Sequence, residues 1–366
     1  MSTSTLRVLS TAVRRELERV STLPAPWIVA DMDSTLIRKE RGEYPDLEDS
    51  PCRPHLLQWL TSGGKLLVVT SDEGHRPFRQ LLGQIPSELR PSVVLAAGEG
   101  AALYKHDGTT FVEDDDYEKA TTPGLPHPHE AVKIACDIKR EFMVSCLHNR
   151  TLLEHVQPKS RRLSYSLLLD TVTDAEEFRK TLTQEYMLQM GALPKFRGSM
   201  IWRNQSGIPS GWDGNNINKT NTPTNTPCRW TTMWVLGISD KYSSDFVNKE
   251  YREQLSSLGI SAELAPNSVL LKNKYCSKAL PINYMFHLLQ NNAVAFGDNP
   301  SGNDSPMTEF QENGLPFFSV SKQISETPAH VKQFFVGGLE KGTALCIEYM
   351  NEIRQQQHSS EEGSKM

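Results

Sequence analysis

Long apolar runs, paired cysteines and an excess of positive charge are all missing from this sequence. No stretch approaches the roughly 20 consecutive apolar residues of a membrane-spanning helix, so we expect no membrane partner. Acidic residues outnumber basic ones by 44 to 39, and the net charge of −5 argues against a protein that binds nucleic acid polymers through their phosphates. The cysteines form no Cys-x-x-Cys pair and show no metal-binding spacing, so we expect reduced thiols in a cytoplasmic protein at Cys52, Cys136, Cys146, Cys228, Cys276 and Cys346.

The N-terminal segment lacks the continuous apolar region of a secretory signal, because arginines interrupt it. These are Arg7, Arg14, Arg15 and Arg19. The segment predicts a surface helix over Leu6–Val20, and a role in organelle targeting stays open. A length of 366 residues suits two domains, and 38% hydrophobic residues provide for sizeable cores.

A pair of aspartates directly follows a short apolar stretch near the start of the chain. Trp27–Ala30 is bounded by Pro26 and predicts a buried β-strand, after which the chain continues as Asp31–Thr35. Ligands of open α/β sheets bind at the carboxyl ends of the strands. Because the chain turns after the strand, we expect Asp31 and Asp33 to converge on one ligand. One carboxylate would act as nucleophile and the other would move protons.

Three further segments carry residue types that phosphoryl chemistry needs. The first is the apolar stretch Leu66–Val69, which ends in two hydroxyl residues. The second contributes a lysine, and the third is the apolar stretch Ala293–Phe296, which leads into clustered carboxylates. The polar residues of these segments are Thr70, Ser71, Lys278, Asp298, Asn303 and Asp304.

In type, order and strand context, these four segments resemble the signature motifs of the haloacid dehalogenase-like superfamily, as its phosphatases and phosphotransferases carry them. Ala97–Lys105 adds to the resemblance. It is similar to a strand of members with a large α/β cap inserted after the third core strand, such as sugar-phosphate phosphatases and phosphomannomutases. The chain departs from these relatives at Gly98–Gly100, where they usually show an Asn-Gly pair.

The resemblance implies an α/β fold with a Rossmann-like three-layer core, a parallel sheet and an inserted α/β cap domain. The alternation of predicted strands and helices favours the same parallel sheet. The Asn/Thr/Pro-rich stretch 214–227 predicts a disordered loop within the cap. The expected divisions are a helical extension at 1–24, a catalytic core at 25–122 and 266–350, a cap at 123–265 and a flexible tail at 351–366.

The resemblance also implies catalytic roles. Asp31 would attack phosphorus and form an aspartyl-phosphate, and Asp33 would serve as general acid and then as general base. Lys278 would neutralise charge on the transferring phosphoryl group, with Lys272 and Lys274 as alternatives. Asp33 favours phosphate chemistry over dehalogenation, because a carbon–halogen substrate needs no proton on its leaving group.

Phosphate and metal binding follow from the same resemblance. Thr70 would donate a hydrogen bond to a phosphate oxygen, with Ser71 as the alternative if the register shifts by one residue. Asn303 would reach phosphate as well. The cofactor implied is Mg²⁺, a hard cation that prefers oxygen ligands. Its ligands would be Asp31, the backbone carbonyl of Asp33, and Asp298, with Asp304 in a supporting position.

These expectations describe a magnesium-dependent phosphatase that hydrolyses a small phosphorylated metabolite. A phosphomutase of the phosphomannomutase type shares every motif but needs a bisphosphate activator. A 5′-nucleotidase needs a cap that stacks on a base, for which the sequence offers Trp202, Trp212, Trp230 and Trp234. The remaining alternative is a non-catalytic regulatory relative, against which the intact aspartates and lysine argue.

Overall fold

The computed structural model describes residues 9–38, 45–72, 75–121, 128–155, 166, 169–182, 200–201, 229–230, 232–236, 238, 250–265 and 268–363. The chain divides into two compact units, one made of Met1–Thr121 with Ser277–Met366 and the other of Thr122–Cys276. Within the described residues, no helix combines the length and the apolar character needed to cross a lipid bilayer.

The strands fall into separate sheets in the two units. In chain order they are β1 (Trp27–Ala30), β2 (Lys65–Val69), β3 (Val93–Ala97), β4 (Ala102–His106), β5 (Phe111–Glu113), β6 (Met200–Ile201), β7 (Arg229–Trp230), β8 (Thr232–Leu236), β9 (Ile260–Ala265), β10 (Ser268–Asn273), β11 (Ala293–Gly297) and β12 (Phe317–Ser319). Among the described residues, the first unit holds a seven-stranded sheet in the order β12-β11-β1-β2-β3-β4-β5. From β12 to β3 the neighbours are parallel, and β4 and β5 add antiparallel. The predicted α/β fold with a largely parallel sheet is therefore confirmed.

Helices of the first unit cover both faces of this sheet. In chain order, the helices of the two units are α1 (Thr11–Ser21), α2 (Cys52–Thr61), α3 (His75–Gln80), α4 (Asp115–Thr121), α5 (Pro128–His148), α6 (Ala175–Thr181), α7 (Arg252–Ser257), α8 (Ala279–Tyr284), α9 (Phe286–Leu289), α10 (Ser305–Thr308) and α11 (Glu340–Gly363), of which α5, α6 and α7 lie in the second unit. In β1, Ile28 and Ala30 pack into a core cluster with α1, α2 and α11. Trp27 and Val29 pack into a second cluster with α8, α9 and α10. Both faces of the strand are buried, which is why its sequence is continuously apolar.

The terminal helices belong to the core of the first unit. Helix α1 begins later than the predicted Leu6–Val20 and buries Val13 and Leu17 completely. Helix α11 extends to Gly363, so the predicted flexible tail at 351–366 is wrong for its described part. Arg354 explains the difference, because its guanidinium donates to the backbone oxygens of Ser21 at 3.1 Å and Ser62 at 2.5 Å and so ties the last helix down.

The second unit holds its own core and an antiparallel sheet in the order β8-β10-β9. Residues of α5, α6 and β10 share a buried apolar cluster that includes Phe142, Phe178 and Val269. The predicted boundary at 265/266 misplaces β10, which pairs with β9 and β8, so the unit runs to Cys276. The predicted loop 214–227 lies outside the described residues.

Candidate active site

Three neighbouring parallel strands end at the same edge of the sheet, and a polar residue follows each of them. In the strand register, Ala30 lies opposite Val68 on β2 and Phe296 on β11. Asp31, Thr70 and Asp298 follow the ends of these strands at that edge. The Asp31 amide donates to the backbone oxygen of Phe296 at 3.0 Å, which continues the strand pairing to the aspartate itself. The position of these residues follows from the parallel sheet.

Asp31, Lys278 and Asp304 form what we call the buried cluster. Lys278 Nζ lies 2.6 Å from Asp31 Oδ1 and 2.6 Å from Asp304 Oδ1. All three side chains are shielded from solvent, and Lys278 is among the largest fully buried residues of the described chain. Lys278 lies at the start of α8 and Asp304 at the start of α10. Both residues are far from Asp31 in the sequence and reach it only in the folded chain.

Burial and charge act in opposite directions on the titrating groups of the buried cluster. Burial raises the pKa of Asp31 to about 8, and the Lys278 ammonium opposes the rise while the Asp304 carboxylate adds to it. Burial lowers the pKa of Lys278, but the carboxylates of Asp304 and Asp31 outweigh it, so the pKa lies above its ordinary value. The lysine is therefore an ammonium, and one ammonium alone does not balance the carboxylates around it.

The donor set fits a hard divalent cation. Asp31, Asp298 and Asp304 each place a carboxylate oxygen within 4.8 Å of the others. With one ammonium beside these carboxyl groups, Asp31 keeps a raised pKa, and a magnesium ion would supply the further positive charge that favours its ionised form. Asp33 does not belong to this group of side chains, and a contact of its backbone carbonyl with the metal stays a prediction.

Asp304 is held by both of its oxygens. Oδ1 accepts from Lys278, and Oδ2 accepts from the backbone amide of Asn299 at 2.9 Å. Gly297 makes room for it, because a Cβ at this position would lie 2.5 Å from Asp304 Oδ2. Asp304 therefore holds the lysine and the loop after β11 in place, and its supporting position at a metal stays a prediction.

Asp33, Arg76 and Asp72 form a second group, the half-buried cluster. Arg76 Nη2 donates to Asp33 Oδ1, and Nη1 donates to Asp33 Oδ2 at 3.1 Å and to Asp72 Oδ2 at 2.5 Å. Arg76 Nε donates to Gln80 Oε1 at 2.7 Å. Burial lowers the pKa of Arg76, but the hydrogen bonds and charges of Asp33 and Asp72 raise it by a larger amount. The pKa therefore lies above its ordinary value, and the guanidinium is charged. The sequence suggested Arg76 as a substrate contact and did not connect it with Asp33, although Asp72, Arg76 and Gln80 recur at the four-residue spacing of neighbours on a helix.

A tight turn directly follows the two aspartates that the sequence places two positions apart. Ser34 adopts a left-handed backbone conformation with φ of +59°, and the amides of Leu36 and Ile37 return to the Met32 oxygen at 3.0 and 2.9 Å. Met32 is fully buried between the aspartates. Each carboxylate has its own cationic partner, and the expected convergence of Asp31 and Asp33 on one ligand stays a prediction.

The expected phosphate-binding residues differ in exposure. Thr70 is buried, and its Oγ1 accepts from the Asp72 amide at 3.0 Å, so its hydroxyl hydrogen remains available to donate. Ser71 is exposed, which favours Thr70 of the two. Asn303 is partly buried on the loop between Asp298 and Asp304, and among the described residues its buried Oδ1 has no hydrogen-bond partner. An amide oxygen in this state suits a donor or cation that arrives with a ligand.

No protein-family model matches the sequence, and no curated protein sequence matches it. Among solved structures, the chain is similar to trehalose-6-phosphate phosphatase from Aspergillus fumigatus, with 10% identity over 93% of this chain and 97% of that one and a TM-score of 0.49. It is also similar to a truncated IMP-nucleotidase from Plasmodium falciparum bound to IMP, with 11% identity over 92% and 72% of the chains and a TM-score of 0.44. A trehalose-6-phosphate phosphatase related protein shows 11% identity over 90% and 99% and a TM-score of 0.42. These scores lie below 0.5, so a function for this chain has to rest on its own side chains.

Proposed function

We propose that this protein is a magnesium-dependent phosphatase that hydrolyses a small phosphate monoester through an aspartyl-phosphate on Asp31. The observation that carries the proposal is the buried cluster, in which the first aspartate of the signature-like motif lies 2.6 Å from an ammonium at the carboxyl edge of a parallel sheet. A carboxylate next to a fixed cation is suited to attack a phosphoryl group.

Charge balance explains why the site would need a metal. A carboxylate and a phosphate monoester repel each other, and each pair of unit charges at about 4 Å costs on the order of 4 kcal/mol at an effective dielectric of 20. Asp31 and Asp298 would hold the magnesium ion, with the backbone carbonyl of Asp33 as a further ligand and Asp304 as support. The ion would supply charge neutralisation and polarisation of the phosphoryl oxygens.

The chain's own residues would carry out two steps. An oxygen of Asp31 forms a bond to phosphorus while the bond from phosphorus to the ester oxygen breaks, and Asp33 gives its proton to the departing oxygen. Asp33 then takes a proton from water as the water oxygen bonds to phosphorus. The Asp31–phosphorus link breaks, which returns the Asp31 carboxylate and releases inorganic phosphate.

The remaining site residues would bind the phosphoryl group. Lys278 offsets its negative charge while staying bonded to Asp31 and Asp304. Thr70 donates the hydrogen that its contact with the Asp72 amide leaves available, and Ser71 is the exposed alternative. Asn303 would donate through its amide nitrogen from the loop after β11.

A cytoplasmic location is part of the same proposal. Four buried cysteines of the described chain are free: Cys52, Cys136, Cys146 and Cys346. Free thiols support a reducing compartment. Burial also raises the pKa of the Cys52 thiol to about 12, so this cysteine is suited to packing rather than to catalysis.

Phosphate release from a panel of esters tests the proposal. The panel would contain sugar phosphates, nucleoside monophosphates and nitrophenyl phosphate, each with magnesium or with EDTA. We expect magnesium-dependent release that Asp31→Asn abolishes and that the exposed control Asp116→Asn leaves intact. Acid-quenched wild-type protein should yield a peptide phosphorylated at Asp31 in mass spectrometry.

The panel also separates the alternatives. Preference for nucleoside monophosphates would identify the nucleotidase, for which Trp230 and Trp234 lie on β7 and β8 and Trp202 and Trp212 lie outside the described residues. Turnover only after addition of a sugar bisphosphate would identify the phosphomutase. Absence of turnover under both conditions would rule out the proposal and favour a regulatory relative.

A further inference from the structure

The first unit has a cleft at the end of its sheet opposite to the candidate active site. Its walls come from α1, from the residues that precede β11 and β12, and from the 3₁₀ helix Ala329–Phe334. Asn291 lies two positions before β11 and Asp298 directly follows this strand. At a rise of roughly 3.3 Å per residue, the two residues are on the order of 20 Å apart. The cleft has a volume of about 740 Å³, within the range of roughly 300–1,000 Å³ that small-molecule sites occupy.

Carboxamides dominate the lining of this cleft, which we call the amide cleft. Of its twelve lining residues, five are Asn or Gln: Gln290, Asn291, Gln311, Asn313 and Gln333. All of these except Gln311 are exposed, and their side chains make no hydrogen bond to another residue of the described chain. A carboxamide offers two donor hydrogens and an acceptor oxygen side by side. The lining therefore suits a ligand whose polar groups both donate and accept.

Hydrogen bonds hold the walls of the amide cleft together before any ligand arrives. Arg19 Nη1 donates to the backbone oxygen of Asn291 at 2.7 Å and joins α1 to the segment before β11. The Asn291 amide donates to the Gly314 oxygen at 2.9 Å, and Gln311 Nε2 donates to the His330 oxygen at 2.7 Å. Walls that are already fixed lose little conformational freedom when a ligand binds.

The charges of the amide cleft argue against an anionic ligand. Arg19 is the one lysine or arginine among the twelve lining residues, and its Nε already donates to Glu16 Oε2 at 2.8 Å. Glu312 adds a second carboxylate at an exposed position. With His330 neutral, a phosphate group would meet two carboxylates and one guanidinium, and like charges repel. The lining therefore favours an uncharged ligand over a phosphorylated one.

We propose that the amide cleft binds an uncharged sugar. A hydroxyl group both donates and accepts, so it pairs with a carboxamide in either direction and donates to a carboxylate. Phe334 and Pro316 add buried apolar surface to the lining, against which the C–H face of a sugar ring packs. Phe334 is fixed against Phe318, with the ring centroids 5.6 Å apart.

This binding site goes beyond the proposed function and does not depend on it. No residue of the amide cleft belongs to the buried cluster or to the half-buried cluster. The cleft lies at the amino ends of β11 and β12, whereas Asp31 and Asp298 lie at the carboxyl edge of the sheet. Sugar binding and phosphate release are therefore separate measurements on the same protein.

NMR titration of isotope-labelled full-length protein with glucose, maltose and sucrose tests the proposal. We expect at least one of these sugars to bind with a Kd of about 10 mM or tighter. Binding should shift the backbone amide signals of Asn313 and Gly314, which line the cleft, and should leave those of Thr70 and Asp304 in place. Asp31→Asn should bind the sugar with an unchanged Kd.

A double variant removes two of the exposed carboxamides. We expect Asn313→Ala combined with Gln333→Ala to raise the Kd at least about tenfold, since loss of one neutral hydrogen bond weakens binding by roughly two- to twelvefold. Gln58→Ala is the matched control, an exposed carboxamide on α2 outside the cleft, and should leave the Kd unchanged.

The charge of the ligand provides an independent measurement. In Asp31→Asn protein with EDTA, where we expect no hydrolysis, the phosphate ester of the best sugar should shift the Asn313 and Gly314 signals with a Kd at least about threefold higher than the sugar itself. Glu312→Gln should reduce this difference, because it removes one of the two carboxylates.

Three outcomes would overturn the proposal. They are unchanged Asn313 and Gly314 signals with all three sugars, an unchanged Kd in the double variant, and tighter binding of the phosphate ester than of the sugar at these signals. Failure of the proposed phosphatase function looks different, because wild-type protein would then release no phosphate from the panel of esters and would still bind the sugar.

Discussion

Asp31 and Asp33 are the same residue type, one residue apart, and the fold gives them opposite surroundings. Asp31 lies in the buried cluster with an ammonium at 2.6 Å, and its side chain is 4% exposed. Asp33 lies in the half-buried cluster under a guanidinium, and its side chain is 15% exposed. The Asp31 carboxylate contacts the ammonium of Lys278 and lies near other carboxylates. The Asp33 carboxylate contacts the planar guanidinium of Arg76, whose donors have fixed directions. In the proposed reaction, the surroundings of the two carboxylates, and not their residue type, would give them different roles.

The end of β1 gives each aspartate its surroundings. The strand delivers Asp31 to the sheet edge between β2 and β11, where the chain supplies Lys278 and Asp304. Asp33 pairs with Arg76 of α3, and the left-handed Ser34 then turns the chain. A non-glycine residue in this conformation costs roughly 1–2 kcal/mol, so the surrounding contacts have to maintain it.

Replacement of either aspartate by asparagine should have the largest effect on activity of all the changes considered. We expect Asp31→Asn to lower kcat on the order of 10⁴-fold or more, as the loss of a nucleophile does in other enzymes. Asp33→Asn should lower kcat by roughly 10²- to 10³-fold, because it removes proton transfer but leaves the nucleophile. Acid-quenched protein measured by mass spectrometry should show phosphorylated Asp31 accumulating in Asp33→Asn and none in Asp31→Asn.

The different roles of Asp31 and Asp33 require that kcat falls further in Asp31→Asn than in Asp33→Asn. Equal losses in the two variants, or a phosphorylated site elsewhere in Asp31→Asn, would contradict the division of roles. Asp116→Asn provides the background for an exposed aspartate of the same unit.

Removal of the Lys278 ammonium should lower the free energy of unfolding more than removal of the Arg76 guanidinium. Lys278→Met leaves Asp31 and Asp304 buried without their partner, and we expect a loss of about 3–5 kcal/mol in the free energy of unfolding. Arg76→Met removes a partly exposed pair and should cost about 1 kcal/mol. Urea denaturation with EDTA measures both, and the Lys278→Met loss should shrink at low pH, where protonation neutralises the carboxylates. An equal cost for the two variants would show that burial does not set the strength of these pairs.

Stabilisation by magnesium should depend on the side chain of Asp298 and not on the side chain of Asp33. We expect the ion to stabilise wild-type protein by about 2.7 kcal/mol at a hundred times its Kd, since it binds the folded state. Asp298→Asn should lose most of this gain, whereas Asp33→Asn should keep it, because only the backbone carbonyl of Asp33 is an expected ligand. Thermal unfolding with and without magnesium gives the answer, and loss of the gain in Asp33→Asn would place that side chain on the metal.

The sequence predicted the sheet edge well because short apolar runs and the polar residues after them are local signals. Trp27–Ala30 and Ala293–Phe296 are continuously apolar, as strands buried on both faces have to be. The hairpin of β9 and β10 was not predicted, because Ser268–Asn273 alternates weakly and the predicted boundary separated it from its partner strands. The boundary at 265/266 failed with it.

Which cation each aspartate meets could not be predicted from the residues alone. Lys278 is 247 positions from Asp31, so only the folded chain brings its ammonium to that carboxylate. Arg76 is 43 positions from Asp33, and its guanidinium also donates to Asp72 and Gln80. The four-residue spacing in the sequence indicates that Asp72 and Gln80 lie near Arg76, but it gives no reason to connect Arg76 with Asp33. Long-range pairing of this kind is a tertiary property.

Thr70 contacts the half-buried cluster and offers the smallest of the expected effects. It follows β2 at the same sheet edge as Asp31, and its Oγ1 accepts the amide of Asp72 at 3.0 Å. Thr70→Val removes one hydroxyl donor to a charged phosphate oxygen and should raise KM by roughly tenfold, whereas Thr70→Ser keeps the donor and should stay near wild type. The exposed Ser71→Ala should change KM by less than about twofold. A larger change from Ser71→Ala than from Thr70→Val, measured on the same ester, would mean that the phosphate meets the exposed hydroxyl, and that the buried one serves only to hold Asp72 beneath Arg76.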